Sequence, residues 1–295
     1  YESRRLMLRE ILEQLFEFAA KAIPSDQILE AKKAYQKETG EIYEDDNSYN
    51  SRMALFLEWY LFDDYITEKA QTPLEILIEE NPDAWNRDKL EIYKSIPESI
   101  QGLFLVKKIK DETVKVLNLF TDETYLAQEK DSRLIFGKND IFQGRLIFFQ
   151  EQFHFTGNFC FHPEKTHKYI KQEVKIINKA QAGDRKDLTK LKKKLLKENK
   201  NLESKEAEIE KLNKKISNTD SENKITKLNQ KLSLLIEERN SLNKTIQDME
   251  SSAYILEHDK IRIEGNKQIN KLINKLAHMN LKLERSRQID ISDIY

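Results

Sequence analysis

Four side chains that could ligate a metal ion lie near the middle of the chain: His154, Cys160, His162 and His167. Thiolate and imidazole groups are the usual ligands of zinc in proteins. The spacing Cys-x-His-x4-His differs, however, from that of zinc fingers and zinc ribbons. On a strand through Cys160 and His162 both side chains would share one face, so a joint site is sterically feasible. We favour the interpretation without metal, in which a buried cysteine lies among histidines at the rim of a small β domain.

Adjacent acidic residues form a second group with potential chemistry: Asp45-Asp46, Asp63-Asp64 and Glu79-Glu80. Carboxylate oxygens are suitable ligands for divalent cations, but neighbouring residues on a helix point in different directions. We therefore interpret these pairs as solvated surface. The seven glycines are scattered singly, which leaves no phosphate-binding loop, and neither a nucleophile elbow nor a paired-histidine helix motif occurs. The sequence predicts no catalytic residue and no cofactor, and hence a protein that is not an enzyme.

Lysine-rich segments indicate a third chemistry, contact with phosphate groups. Residues 164–200 contain 13 basic and 5 acidic residues, whereas residues 1–100 contain 12 basic and 22 acidic ones. Nucleic-acid binding is therefore an alternative function, and the candidate contacts are Lys186, Lys190, Lys192, Lys193, Lys194 and Lys197. Residues 101–163 argue against it, because their eight acidic residues balance eight basic ones. A membrane-surface role for the basic helix is a third alternative.

The elements that must position these residues belong to an α+β fold that is mostly α. Only 7 glycines and 5 prolines interrupt 295 residues, and 34% of the residues are charged, a composition that favours long helices. Residues 1–100 are predicted to form a helical domain. Within it, Thr72-Pro73 predicts a helix start, with threonine as the N-cap and proline at the first helical position.

Residues 101–163 are predicted to form a small, barrel-like β domain of five to six antiparallel strands. Short apolar runs alternate there with turn residues, and Gly157-Asn158 predicts a two-residue hairpin turn leading into Phe159-Cys160-Phe161. A connecting helix over residues 164–185 follows. Gly183 predicts a break at its end.

Residues 186–257 are predicted to form an antiparallel coiled-coil hairpin. Apolar residues recur at heptad spacing in two series, which form the predicted partner-binding seam: Leu188, Leu191, Leu195, Leu202, Ile209, Leu212 and Ile216, then Ile225, Leu228, Leu232, Leu235, Leu242, Ile246 and Met249. The frame shifts by two residues at the polar run Ser217–Asn223, which is typical of a turn. A continuous helix that dimerises in parallel is the alternative. Glu198, Lys205 and Arg239 occupy seam positions, and polar seam residues often determine register or partner choice.

Residues 258–295 are predicted to form an amphipathic helix and a tail. Its apolar face, from Ile269 to Leu283, requires a partner surface on the N-terminal helices, on the hairpin or on another subunit.

These predictions lead to a functional hypothesis. We expect a non-enzymatic interaction or scaffold protein that uses its coiled-coil arm to bind or space a protein partner, or to associate with itself. The single cysteine excludes an internal disulfide and favours a reducing, cytoplasmic location. We expect no transmembrane segment, because the longest apolar run is far shorter than a bilayer requires.

Overall fold

A computed structural model describes residues 2–66, 71–81, 83–286 and 289–295. The chain is mostly helical and contains one six-stranded mixed sheet. It divides into two compact units. The first unit comprises residues 1–179 and 266–295, and the second comprises residues 180–265.

Five helices begin the first unit: α1 (Glu2–Ala22), α2 (Ser25–Thr39), α3 (Tyr49–Phe62), α4 (Pro73–Glu80) and α5 (Arg87–Ser95). The predicted start of α4 is confirmed. The Thr72 hydroxyl accepts a hydrogen bond from the Glu75 backbone N–H, and the Glu75 carboxylate accepts one from the Thr72 N–H, which completes a capping box. Buried aliphatic and aromatic side chains of these helices form one core, which Ile147 and Phe149 of the sheet extend.

The sheet contains strands β1 (Ile100–Lys110), β2 (Thr113–Asn118), β3 (Thr124–Gln128), β4 (Ile141–Phe149), β5 (Gln152–Phe155) and β6 (Cys160–His162), with a short helix α6 (Ser132–Ile135) between β3 and β4. The strand order is β1-β2-β3-β5-β4-β6, and β1 also pairs with β4. One face of the strands encloses a core rich in phenylalanine, which includes Phe104, Phe142 and Phe155.

The predicted all-antiparallel arrangement is wrong at one pairing, since β3 and β5 run parallel, with Ala127 beside Phe153. The chain passes through α6 between β3 and β4, and β5 then folds back antiparallel on β4 and fills the place next to β3. Alternation of apolar residues predicts a strand but not the direction of its neighbour. The barrel-like closure stays a prediction.

The predicted hairpin at Gly157-Asn158 is also wrong. The tight turn lies at Gln150 and Glu151, between β4 and β5, where both residues have positive φ values of 48° and 65°. Strand β6 pairs with β4 and not with β5, with Gln143 beside Cys160. Two non-glycine residues in left-handed conformations give no turn signal in the sequence, because glycine and asparagine are the residues that usually mark such a turn.

Three longer helical segments follow the sheet: α7 (His167–Ser217), α8 (Glu222–Tyr254) and α9 (Gly265–Arg285). The predicted helix break at Gly183 is wrong, because α7 continues through it without interruption. Between α8 and α9, residues Ile255–Glu264 form a π-helical segment, which lies between the last predicted seam residue, Met249, and the apolar face that begins at Ile269.

Helix α9 finds its partner surface within the first unit. Leu272, Ile273 and Leu276 are almost fully buried, and they pack in a core with Leu103 and Ile141 of the sheet. Ile170 and Val174 of α7 belong to the same core. The sheet and α7 were not among the predicted partner surfaces, whereas the N-terminal helices were, and α9 contacts them through Arg52 and Glu38.

Candidate interaction surface

The second unit contains two helical arms, which we call the first arm (residues 180–217 of α7) and the second arm (α8). Every apolar residue of the predicted seam is buried or half-buried in this unit, and Leu212, Leu235, Ile246 and Met249 are the most deeply buried. The polar seam residues Glu198, Lys205 and Arg239 are half-buried as well.

Ion pairs join the two arms along their length. Lys192 Nζ lies 2.7 Å from Glu257 Oε1, just beyond the end of the second arm, and Lys231 Nζ lies 3.0 Å from Glu208 Oε1. Lys205 forms a further pair with Glu238. Residue numbers rise along one arm as they fall along the other, which is the relation of antiparallel neighbours. The seam of each arm is therefore covered by the other arm of the same chain.

The outer face of the first arm carries a row of exposed lysines, which we call the lysine stripe: Lys186, Lys190, Lys193, Lys197 and Lys200. The steps of four, three, four and three residues place them on one helix face, over about 21 Å at 1.5 Å per residue. Leu196 lies beside the stripe and is 62% exposed. Lys190 pairs with Asp187 at 3.0 Å, whereas no ion pair joins Lys193 or Lys197 to any residue that the structure describes.

The predicted nucleic-acid contacts divide between two surfaces. Lys186, Lys190, Lys193 and Lys197 belong to the stripe, and Lys194 is exposed beside it. Lys192 instead points to the second arm and pairs with Glu257. Heptad position explains the difference, because the side chains that flank a seam reach across to the partner helix.

The predicted metal candidates do not lie together: Cys160 and His162 are on β6, close to His167 at the start of α7, whereas His154 is on β5, on the other side of β4 and beside Ile147. His154, Cys160 and His162 are buried, and His167 is half-buried, with its Nε2 atom 3.2 Å from the His162 carbonyl oxygen. Burial raises the pKa of the Cys160 thiol to about 11. Burial, with smaller contributions from His167 and Arg52, lowers the pKa of His162 to about 3. Among the described residues, no group of three or more His, Cys, Asp or Glu side chains is arranged to hold a metal ion.

A buried ionic cluster that sequence reasoning missed connects α3 to β4. Arg145 Nη2 pairs with Asp63, and its Nε atom lies 3.5 Å from Glu58 Oε2. Arg145 Nη1 donates a hydrogen bond to Ser99 Oγ at 2.8 Å, and Asn158 Nδ2 donates one to Glu58 Oε1 at 2.7 Å. Burial raises the pKa of Glu58, and the nearby Arg145 charge opposes that shift. This cluster connects helix to sheet through its charges.

The interpretation of the acidic pairs as solvated surface is wrong for two of their residues. The Asp63 side chain is 8% exposed because it faces Arg145, and that of Asp46 is 7% exposed because it pairs with Arg285 of α9. Asp45, Glu79 and Glu80 are exposed, as expected, whereas Asp64 is half-buried. In both cases the basic partner is distant in the sequence, so no local pattern indicated that the carboxylate would be buried.

A second polar cluster fixes α9 to α3. Arg52 is almost fully buried and donates hydrogen bonds to the Ala277 carbonyl oxygen at 3.1 Å and to Asn280 Oδ1 at 2.9 Å. Its guanidinium group also lies 3.6 Å from a Glu284 oxygen. These contacts hold α9 against α3.

Comparison with known proteins gives a family but no function. A family model described as a family of unknown function (DUF7986) matches residues 1–201, which include the N-terminal helices, the sheet and the beginning of the first arm. No curated protein and no solved structure matches the chain. None of the described helices combines the length and the apolarity needed to cross a bilayer.

Proposed function

We propose that this chain, which belongs to the DUF7986 family of unknown function, is a non-enzymatic interaction protein whose coiled-coil hairpin binds a protein partner. The observation that carries the proposal is the lysine stripe. The two arms cover the apolar seam of the hairpin, so a partner would meet the outer faces, and the stripe is the most strongly charged of these. The proposal assigns no catalytic role, and Glu58 and Asp63 are engaged with Arg145.

The partner that best fits the stripe is an acidic helix. Lysines at alternating steps of three and four residues match carboxylates at the same spacing on a second helix. Exposed Leu196 adds an apolar contact within the basic row. Charge complementarity of this kind mainly accelerates association and selects the partner.

The test is a comparison of two variants with equal loss of charge. In the stripe variant, Lys186, Lys190, Lys193, Lys197 and Lys200 become glutamine. In the turn variant, Lys211, Lys214, Lys215, Lys224 and Lys227, which lie near the hairpin turn, become glutamine. Affinity capture from a lysate, with quantitative mass spectrometry, should find acidic proteins that wild type and turn variant retain and that the stripe variant loses. Equal recovery by all three proteins would contradict the proposal.

Nucleic-acid binding is the second candidate, because the same lysines could contact phosphates. The sheet gives it limited support, since Phe104, Phe142 and Phe155 are buried, although Phe148 is 56% exposed and offers one ring for stacking. Fluorescence anisotropy with labelled single-stranded oligonucleotides at 50 and 200 mM salt would test it. Binding that weakens steeply with salt and disappears in the stripe variant would favour nucleic acid over an acidic helix.

We also propose two further properties, a barrel-like closure of the sheet and a cytoplasmic location. The pairing of β1 with both β2 and β4, together with the pairings of β5 with β3 and β4, supports a barrel-like closure of the sheet. The free thiol of Cys160 supports a reducing, cytoplasmic location.

A further inference from the structure

A cleft in the first unit lies beside the exposed face of α9. It has a volume of about 390 Å³, which is in the range of small-molecule sites. Lys271, Lys275, His278 and Lys282 of α9 line one side. Glu38 of α2 and Ile294 near the end of the chain also line it. The cleft is separate from the lysine stripe and belongs wholly to the first unit.

The charges in the cleft favour an anion. Lys271 and Lys282 are exposed, and neither forms an ion pair with any residue in the described part of the chain. Lys275 is engaged, since its Nζ atom lies 3.1 Å from a Glu173 oxygen and over the Tyr169 ring. The Glu38 carboxylate is engaged as well, because it accepts a hydrogen bond from Asn274 Nδ2 at 2.8 Å.

His278 adds a polar group without a second positive charge. Its pKa is lowered, first by burial and then by the Lys282 charge, so the imidazole is neutral near pH 7. The neutral imidazole has one N–H, and His278 already forms a hydrogen bond with the backbone of Glu38, so the ammonium groups of the lysines are the donors left for an anion. The α9 wall therefore offers two ammonium groups, those of Lys271 and Lys282, to an anion.

Part of the lining is apolar. Met279 and Ile294 line the cleft, and the methylene stems of the lysines extend this surface beneath their charged ends. A bare inorganic anion would use the ammonium groups and leave the apolar surface uncovered. A ligand with a charged head and a short hydrocarbon portion would use both.

We propose that this cleft binds a small amphipathic anion, in which a phosphate or carboxylate group is attached to a short apolar chain. The head lies between Lys271 and Lys282, which are about 16 Å apart along α9 and reach it with extended side chains, and the chain lies against Met279 and Ile294. This site is independent of the partner surface on the hairpin, so either proposal can fail while the other stands.

The experiment is an isothermal titration of the full chain with octyl phosphate, kept below the concentration at which it forms micelles. The double variant Lys271→Gln/Lys282→Gln should bind octyl phosphate at least tenfold more weakly than wild type. The control Lys108→Gln/Lys267→Gln removes two exposed lysines that do not line the cleft, and should bind like wild type. Circular dichroism should show equal folding of all three proteins.

Two comparisons separate the head from the chain. Inorganic phosphate and 1-octanol should each bind wild type at least tenfold more weakly than octyl phosphate. Ile294→Asp, which places a carboxylate on the apolar wall, should also weaken octyl phosphate binding. The proposal would be overturned if wild type fails to bind octyl phosphate, if the Lys271/Lys282 variant binds it equally well, or if 1-octanol binds as tightly.

Discussion

At the scale of single residues, Arg145 has the largest structural role that the structure reveals. It lies between two buried carboxylates, with Glu58 on one side and Asp63 on the other, and its guanidinium group lies 5.2 Å from the centre of the Phe62 ring. Taking three charges out of water is costly, and the cluster is tolerated because each carboxylate has a cationic neighbour. Loss of the arginine would leave two buried carboxylates without that neighbour.

We therefore predict that Arg145→Met destabilises the first unit by about 3–5 kcal/mol, the usual cost of breaking a buried ion pair. The control is Arg133→Met, because Arg133 pairs with Asp111 while both side chains are 71% exposed. That change should cost about 0–1 kcal/mol. Urea unfolding of both variants, followed by circular dichroism, measures the difference. Similar losses of unfolding free energy in the two variants would show that the buried Arg145 cluster stabilises the fold no more than an exposed ion pair does.

The pH dependence of stability follows from Glu58. Its pKa is raised in the folded state, mainly by burial, so the protonated carboxyl stabilises the fold relative to the charged one. That contribution is complete below the unfolded pKa of glutamate, about 4.3, and is lost as the pH rises through the folded pKa. Glu58→Gln keeps an oxygen that can accept the Asn158 hydrogen bond but removes the titration.

The free energy of unfolding of wild type minus that of Glu58→Gln should therefore fall as the pH is raised from 4 to 8. Urea titrations at intervals across this range measure it, and Glu203→Gln, at an exposed position, controls for the lost negative charge. A difference that stays constant or rises with pH would contradict a raised pKa for Glu58 in the folded state.

At the scale of elements, burial along the two arms follows the heptad frame residue by residue. Leu235 lies in the seam and is 8% exposed, whereas its neighbour Leu234 is 60% exposed. We predict that Leu235→Ala destabilises the hairpin by about 2–3 kcal/mol, while Leu234→Ala changes its stability by no more than about 0.5 kcal/mol. Thermal unfolding of the two variants gives the comparison. A larger loss of stability for Leu234→Ala than for Leu235→Ala would mean that the heptad frame of the second arm is assigned wrongly.

Elements could be predicted from the sequence where a local pattern determines them. The heptad spacing predicted the residues that the arms bury, and Thr72-Pro73 predicted the start of α4. The parallel pairing of β3 with β5 could not be predicted, because strand direction depends on how distant segments meet. The burial of Glu58 and Asp63 was missed for the same reason, since their partner Arg145 lies on a different element.

At the scale of the whole molecule, the family match covers more of the first unit than of the second. The uneven distribution of charge, acidic over residues 1–100 and basic over 164–200, gives each region its own electrostatic character. The near-neutral total of −1 conceals this difference. The proposed function depends on the basic region and the proposed anion cleft on α9, so the two predict independent losses in separate variants.

The central claim is that the hairpin covers its own seam and leaves the lysine stripe exposed. The most direct test is zero-length carbodiimide cross-linking of the full chain at two protein concentrations tenfold apart, with mass spectrometry of the cross-linked peptides. We predict links from Lys205 to Glu238 and from Lys231 to Glu208, in material of monomer mass and with a yield that does not depend on concentration. If these links occur only in dimers, the arms pair between chains and the claim is wrong.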